Sequence, residues 1–174
     1  MNIEIRPATA EDRNALWQVH TQAIRQSAKS HYDAAQIEAW AGRLTPEGYR
    51  PPDTYVIAEA EDGSVVGFGE LNLQATEIKA VFVDPKFGRR GIGSHLLKAL
   101  EDLAKRQGLT TLVLDASLNA VKFYERAGYR QAEPTVCVYG RDAVAVPGML
   151  MMKSLFQSEV TGVEVIGDAN GDGS

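Results

Sequence analysis

Val81-Phe82-Val83-Asp84-Pro85-Lys86-Phe87-Gly88-Arg89-Arg90-Gly91-Ile92-Gly93-Ser94-His95-Leu96-Leu97 is the stretch whose reading decides the fold. It opens as an apolar strand that Asp84-Pro85 closes, since proline cannot donate to a ladder. It ends in a helix: Ile92, Leu96, Leu97, Leu100 and Leu103 recur on one face until Gly108 stops the run. Between strand and helix lie Gly88, Gly91 and Gly93 with Arg89 and Arg90. Glycines let backbone approach a ligand, and the free N–H groups and dipole of a helix start attract an anion. The arginines add mobile positive charge, so the loop suits a phosphate or pyrophosphate. It is not a P-loop, because Gly93 is followed by Ser94-His95 rather than Lys-Ser/Thr. Nor is it a dinucleotide fingerprint, because Leu96 stands where the third glycine is needed. On the residues alone, a glycine-rich turn with solvated arginines is the other reading.

Outward from this stretch, the chain alternates between two periodicities. Upstream, Ile3 and Ile5 form a strand that Pro7 ends. Thr9 with Asp12 resembles a helix cap, and Leu16, Val19, Ala23 and Ile24 follow at helical spacing. Asp33 with Gln36 starts a second helix carrying Ile37, Trp40, Ala41 and Leu44. Tyr55–Ala58 and Val65–Gly69 flank the hairpin signal Asp62-Gly63, and Glu77–Val83 is the next strand. Downstream come a buried-type strand at Thr111–Leu114, a helix from about Leu118 to Ala127, and strands around Thr135–Tyr139 and Met149–Lys153. A helix joins the fourth and fifth strands, which makes them parallel neighbours in a right-handed crossover. The expected fold class is α/β: a mixed, mostly antiparallel sheet with a parallel central pair and helices on both faces.

The chain has 174 residues, of which 44% are hydrophobic, enough for one self-sufficient domain. The expected boundaries are 1–157 for the domain and 158–174 for a flexible acidic, Gly-rich tail. In that tail, residues 168–173 match only the opening of an EF-hand loop. A net charge of −5, with Lys86, Arg89 and Arg90 as the only basic cluster, argues against nucleic acid as partner. One cysteine, Cys137, excludes an internal disulfide and multi-thiolate zinc sites, and no metal is expected. Cys137 lies on an apolar strand and reads as a buried hydrophobe. With no signal peptide or membrane-length apolar run, the expected location is cytoplasmic.

With its surroundings, the loop resembles the first coenzyme-binding motif of the GNAT superfamily of N-acetyltransferases. Ser117-Leu118-Asn119-Ala120-Val121-Lys122-Phe123-Tyr124-Glu125-Arg126-Ala127-Gly128-Tyr129 resembles the second. The likeness covers roughly residues 2–156, with two departures. Gly88 and Arg89 stand where the family has Gln or Arg followed by Gly, and Ser117 stands where it often has Asn. The resemblance implies a central parallel pair splayed to bind acetyl-CoA, and transfer of its acetyl group to a primary amine of a small molecule or protein. A non-catalytic acyl-CoA-binding sensor is the alternative, and a homodimer is among the expected assemblies.

Residue by residue, the resemblance assigns backbone contacts with the pantetheine arm to Val81, Phe82 and Val83. It assigns the pyrophosphate cradle to Arg89, Arg90, Gly91, Ile92, Gly93 and Ser94, and a further pantetheine contact to Ser117 or Asn119. Tyr124 matches the family tyrosine that protonates the departing thiolate. For the base that deprotonates the amine, Glu77 and Glu70 are the candidates, with His20, His31 and His95 as alternatives. A strand period of two puts Glu77 on the face of Lys79, Val81 and Val83. His95, on the first turn of the loop helix, reads as structural or solvent-facing. Tyr32 and His31 precede the second helix, where the family forms its acceptor pocket, and Trp40 reads as core.

Overall fold

Two strand periodicities and two helical faces assemble into one seven-stranded sheet in the computed structural model, which describes residues 2–51 and 54–156. The elements are β1 (Ile3–Pro7), α1 (Arg13–Ser27), α2 (Ala34–Ala41), β2 (Tyr55–Ala60), β3 (Val65–Asn72), β4 (Glu77–Val83), α3 (Ile92–Arg106), β5 (Thr111–Ser117), α4 (Val121–Arg126), β6 (Arg130–Tyr139) and β7 (Val144–Ser154). The sheet order is β1-β2-β3-β4-β5-β7-β6, antiparallel throughout except for β4 and β5. Element order and the parallel pair agree with the sequence reading. The region from 158 onward, including residues 168–173, lies outside the described residues.

Both faces of the sheet are covered. Leu96, Leu97, Leu100 and Ala104 of α3 bury Val66, Leu71, Ile78, Leu112 and Leu114 on one side. Leu16 and Val19 of α1 bury Tyr55, Ile57, Phe68 and Ala80 on the other. The long helix lies so close to β3 that a Cβ on Gly69 would stand 2.7 Å from Leu100 Cδ1. Both expected caps form. Asp12 Oδ2 accepts the Thr9 N–H at 2.7 Å, and Asp33 Oδ1 accepts that of Gln36 at 2.8 Å. Arg6 joins Asp12 and Glu59, tying β1 to β2 and the entry of α1.

Three boundaries differ from expectation. The fourth helix begins only at Val121, because Leu118–Ala120 form a turn in which Ala120 N–H donates to Ser117 O at 2.8 Å. The last two strands run longer than the apolar pattern suggests, through Pro134 and Pro147. β6 is an edge strand with a bulge between Gln131 and Glu133, and an edge tolerates proline. Among the described residues no helix is long and apolar enough to cross a membrane.

The parallel pair scarcely touches. Its registered contact is Glu77 opposite Val113, with Val113 N–H donating to Thr76 O at 3.0 Å. Beyond that point β5 stays with β7 as far as Ser117, while β4 stays with β3 as far as Val83. The two strands diverge into a fork.

Candidate active site

The glycine-rich loop is built for close approach. After a 3-10 turn at Pro85–Phe87, Arg89 (φ 60°) and Gly91 (φ 78°) take the left-handed conformation that folds the chain back onto α3. Gly91 caps the helix without a side chain, and the first helical bond is His95 N–H to Gly91 O at 3.1 Å. The N–H groups of Ile92, Gly93 and Ser94 therefore have no backbone acceptor among the described residues. Arg89 faces the cleft these amides line. Arg90 does not; its guanidinium lies 5.7 Å from the centre of the Phe87 ring, on the outer flank of the loop.

The fork continues the cleft along β4. Asp84 N–H donates to Val66 O at 2.8 Å across the β3–β4 ladder. Antiparallel pairs alternate, so Phe82 and Ala80 also direct their backbone groups to β3. Val81 and Val83 direct theirs the other way, into the fork. Phe82 thus meets the cleft with its ring rather than its amide, unlike the role the sequence reading gave it.

Opposite β4, Ser117, Asn119 and Tyr124 line the same cleft. Asn119 Oδ1 is buried and has no hydrogen-bond partner among the described residues, an acceptor that only a ligand or water would satisfy. Tyr124 is 7% exposed, and burial pushes its phenol above the ordinary range, so it stays protonated. The Phe123 ring lies 3.4 Å from where a Cβ on Gly93 would stand, which packs the two motifs together. The whole cleft is one continuous space of about 1050 Å³, running from Arg89 past Val81 and Tyr124 to Glu70 and Tyr49.

At its far end the alternation expected along β4 fails. Ala80 pairs with Glu70, but Ile78 pairs with Leu71, so Lys79 is an extra residue without a partner on β3. This bulge moves Ile78 to the α3 face together with Val81 and Val83, while Ala80 faces α1. Glu77 therefore does not share the face of Val81 and Val83 that strict alternation would give it. It turns to the α1 face, beside Glu70. Glu77 lies 3.6 Å from Lys79, and Glu70 stands cross-strand from Tyr55. Burial, with a smaller push from Glu77, raises the Glu70 carboxyl above its ordinary value against the pull of Tyr55 and Lys79.

Comparison with known proteins agrees with this geometry. The acetyltransferase (GNAT) domain family matches residues 20–146. The chain belongs to the GNAT acetyltransferase family. The uncharacterized N-acetyltransferase YafP of Escherichia coli is 31% identical over 131 residues, covering 74% of this chain and 82% of that protein. A GCN5-related N-acetyltransferase structure from Rhodopseudomonas palustris superposes with TM-score 0.76 at 28% identity, covering 88% and 96% of the two chains. The PaiA N-acetyltransferase of Thermoplasma acidophilum, solved with coenzyme A, shares the fold at TM-score 0.70 and 22% identity, covering 88% and 99%.

This GNAT chain also carries cleft residues that its motifs do not reveal. His20 Nδ1 is 2.8 Å from Tyr49 Oη, and its ring lies 4.0 Å from that of Phe82. Burial, with Arg43 nearby, pushes His20 down to about 3, so it is neutral and unsuited to carry a proton at physiological pH. Tyr49 and Tyr55 are buried against Phe68. His31 and His95 are exposed. Tyr32 is a clamp: its hydroxyl donates to Pro147 O at 2.7 Å and accepts from Leu118 N–H at 2.8 Å. Trp40 is only partly core, since it also lines the cleft between Tyr32 and Phe82. Cys137 is not buried; it is half-exposed in the cleft wall, with Sγ 3.5 Å from Asp115 Oδ2.

Proposed function

We propose that this GNAT protein transfers the acetyl group of acetyl-CoA directly to a primary amine. The observation that carries the reading is the single cleft, which joins unpartnered loop amides, an open strand edge, a buried phenol and a half-buried carboxylate in that order. The sequence of chemistries matches the ligand: diphosphate, amide-bearing arm, thioester, amine. The coenzyme in the PaiA relative supports the same assignment.

The amides of Ile92, Gly93 and Ser94, with Arg89, hold the pyrophosphate through hydrogen bonds and the helix dipole. Val81 and Val83 offer their backbone groups to the arm as a neighbouring strand would, and Asn119 supplies an acceptor to one of its amides. Acetyl-CoA brings a thioester whose carbonyl carbon is open to attack by a neutral amine. Glu70 takes the amine's proton, and its raised affinity for protons suits it to that task. Glu77, on the same face, keeps the local field negative and favours Glu70 as proton acceptor. The Val81 N–H points into the fork, where a developing oxyanion needs a donor. Tyr124, held protonated by burial, delivers a proton to the departing sulfur.

Calorimetry with CoA, ATP and NAD, followed by free-thiol release with acetyl-CoA and an amine panel, tests the reading. Binding of CoA alone and amine-dependent thiol release are expected. Failure to bind CoA overturns the assignment, and binding without transfer to any amine would leave a sensor.

A further inference from the structure

Resting on that reading, we infer that the acceptor is an amine that also carries a carboxylate, of the size of an amino acid, and that Arg43 selects it by binding that carboxylate. Arg43 follows the end of α2 and lines the acceptor end of the cleft. Arg43 is exposed along that lining, and its guanidinium lies 4.4 Å from the centre of the Tyr139 ring. No acidic side chain among the described residues pairs with it. The other cleft-lining cation at this end, Lys79, already faces Glu77 at 3.6 Å.

The chamber is therefore polar in a particular sense. Its negative pole is Glu70 with Glu77, on strands that end at the fork; its positive pole is Arg43, across the cleft. The fields of both Glu70 and Arg43 reach the Tyr49 hydroxyl. The rings of His20, Phe82 and Trp40 pack together in the same part of the cleft. An amine presented to Glu70 with a carboxylate on the same small molecule aligns with this dipole. A polyamine would bring a second cation to Arg43, and like charges repel. A simple amine leaves Arg43 with only water. Arginine suits the task because its planar fork matches a carboxylate with two parallel hydrogen bonds.

Matched acceptors test this: aromatic and aliphatic L-amino acids against the amines made by removing their carboxyl groups, assayed by thiol release with wild type, Arg43→Gln and Arg43→Lys. The readout is the ratio of kcat/KM for each acid over its decarboxylated partner. In wild type the acid is expected to win. In Arg43→Gln the ratio is expected to fall roughly 10- to 100-fold, the worth of a charge-assisted pair, with Arg43→Lys between. A ratio below one in wild type, or one that Arg43→Gln leaves unchanged, overturns the proposal while acetyl transfer stands. If no panel member is acetylated, Trp fluorescence of the CoA-saturated protein reads binding directly, and acids that bind no better than amines overturn it equally. Loss of CoA binding itself would instead overturn the acetyl-CoA reading.

Discussion

Glu70 and Glu77 come to the same face of the sheet because β4 holds one residue more than β3 can pair, at Lys79. The bulge gathers two carboxylates at the end of a cleft and gives them unequal surroundings. Burial raises the Glu70 carboxyl above its ordinary value. Its raised proton affinity places the acid limb of kcat/KM above the usual carboxylate range. Glu70→Gln should remove that limb and lower turnover on the order of 10²-fold or more, whereas Glu77→Gln should shift the limb downward by removing a neighbouring negative charge.

Glu70→Gln should stabilise the fold, and the sign follows from linkage. A carboxyl whose folded pKa is raised binds its proton more tightly in the native state. The native state is therefore at a disadvantage once pH exceeds the folded pKa, and at none below the unfolded value of about 4.5. Thermal unfolding of Glu70→Gln should exceed wild type at pH 8, and the gap should close as pH falls toward 4. A gap that widens in acid would contradict the assignment.

Tyr124→Phe removes a hydroxyl that has no hydrogen-bond partner among the described residues, so folding should be nearly unchanged. Turnover should fall roughly 10²-fold, with CoA affinity kept. Stopped-flow measurement of the chemical step, beside CoA titration, checks both halves.

Gly91→Ala meets no atom within 4 Å, so its effect is purely that of backbone at φ 78°. The expected loss is about 1 kcal/mol of stability, with CoA affinity weakened further if the loop relaxes and turns its amides away. Denaturant unfolding and calorimetry on the same preparation separate the two.

Tyr32→Phe leaves Leu118 N–H and Pro147 O without their shared partner. A cost of about 1–3 kcal/mol is expected. Because the clamp joins the turn after α1 to the β5–β7 side of the cleft, KM for the acceptor should rise more than kcat falls.

The order of elements was legible because α1 and α3 repeat apolar residues at a period of 3.6, while β2 and β5 are short continuous apolar runs bounded by turn residues. The anion loop was legible because glycine spacing and a helix start are local facts. The bulge was not. Residues 80–83 are all apolar, so no interruption marks where β4 gains its extra residue. Nor was the chamber legible, since His20, Arg43, Tyr49 and Glu70 come from segments separated by helix and loop and meet only once the sheet stacks them. The last two strands run past the apolar pattern through two prolines: Pro134 is on the edge strand β6, and Pro147 lies just beyond the end of the β5–β7 pairing at Gly148.

The single registered contact between β4 and β5 makes this sheet two ladders sharing one rung. The inner rails of both ladders carry backbone groups that find no strand across the gap, so a ligand lying between them acts as a removable suture. Occupancy and rigidity then become one quantity. At a hundred times its dissociation constant, such a ligand adds about 2.7 kcal/mol to the native state. Amide exchange at Val81 and Val83 on β4 and along the facing part of β5 should slow together, and under the proposed reading the melting temperature becomes a gauge of the acyl-coenzyme pool.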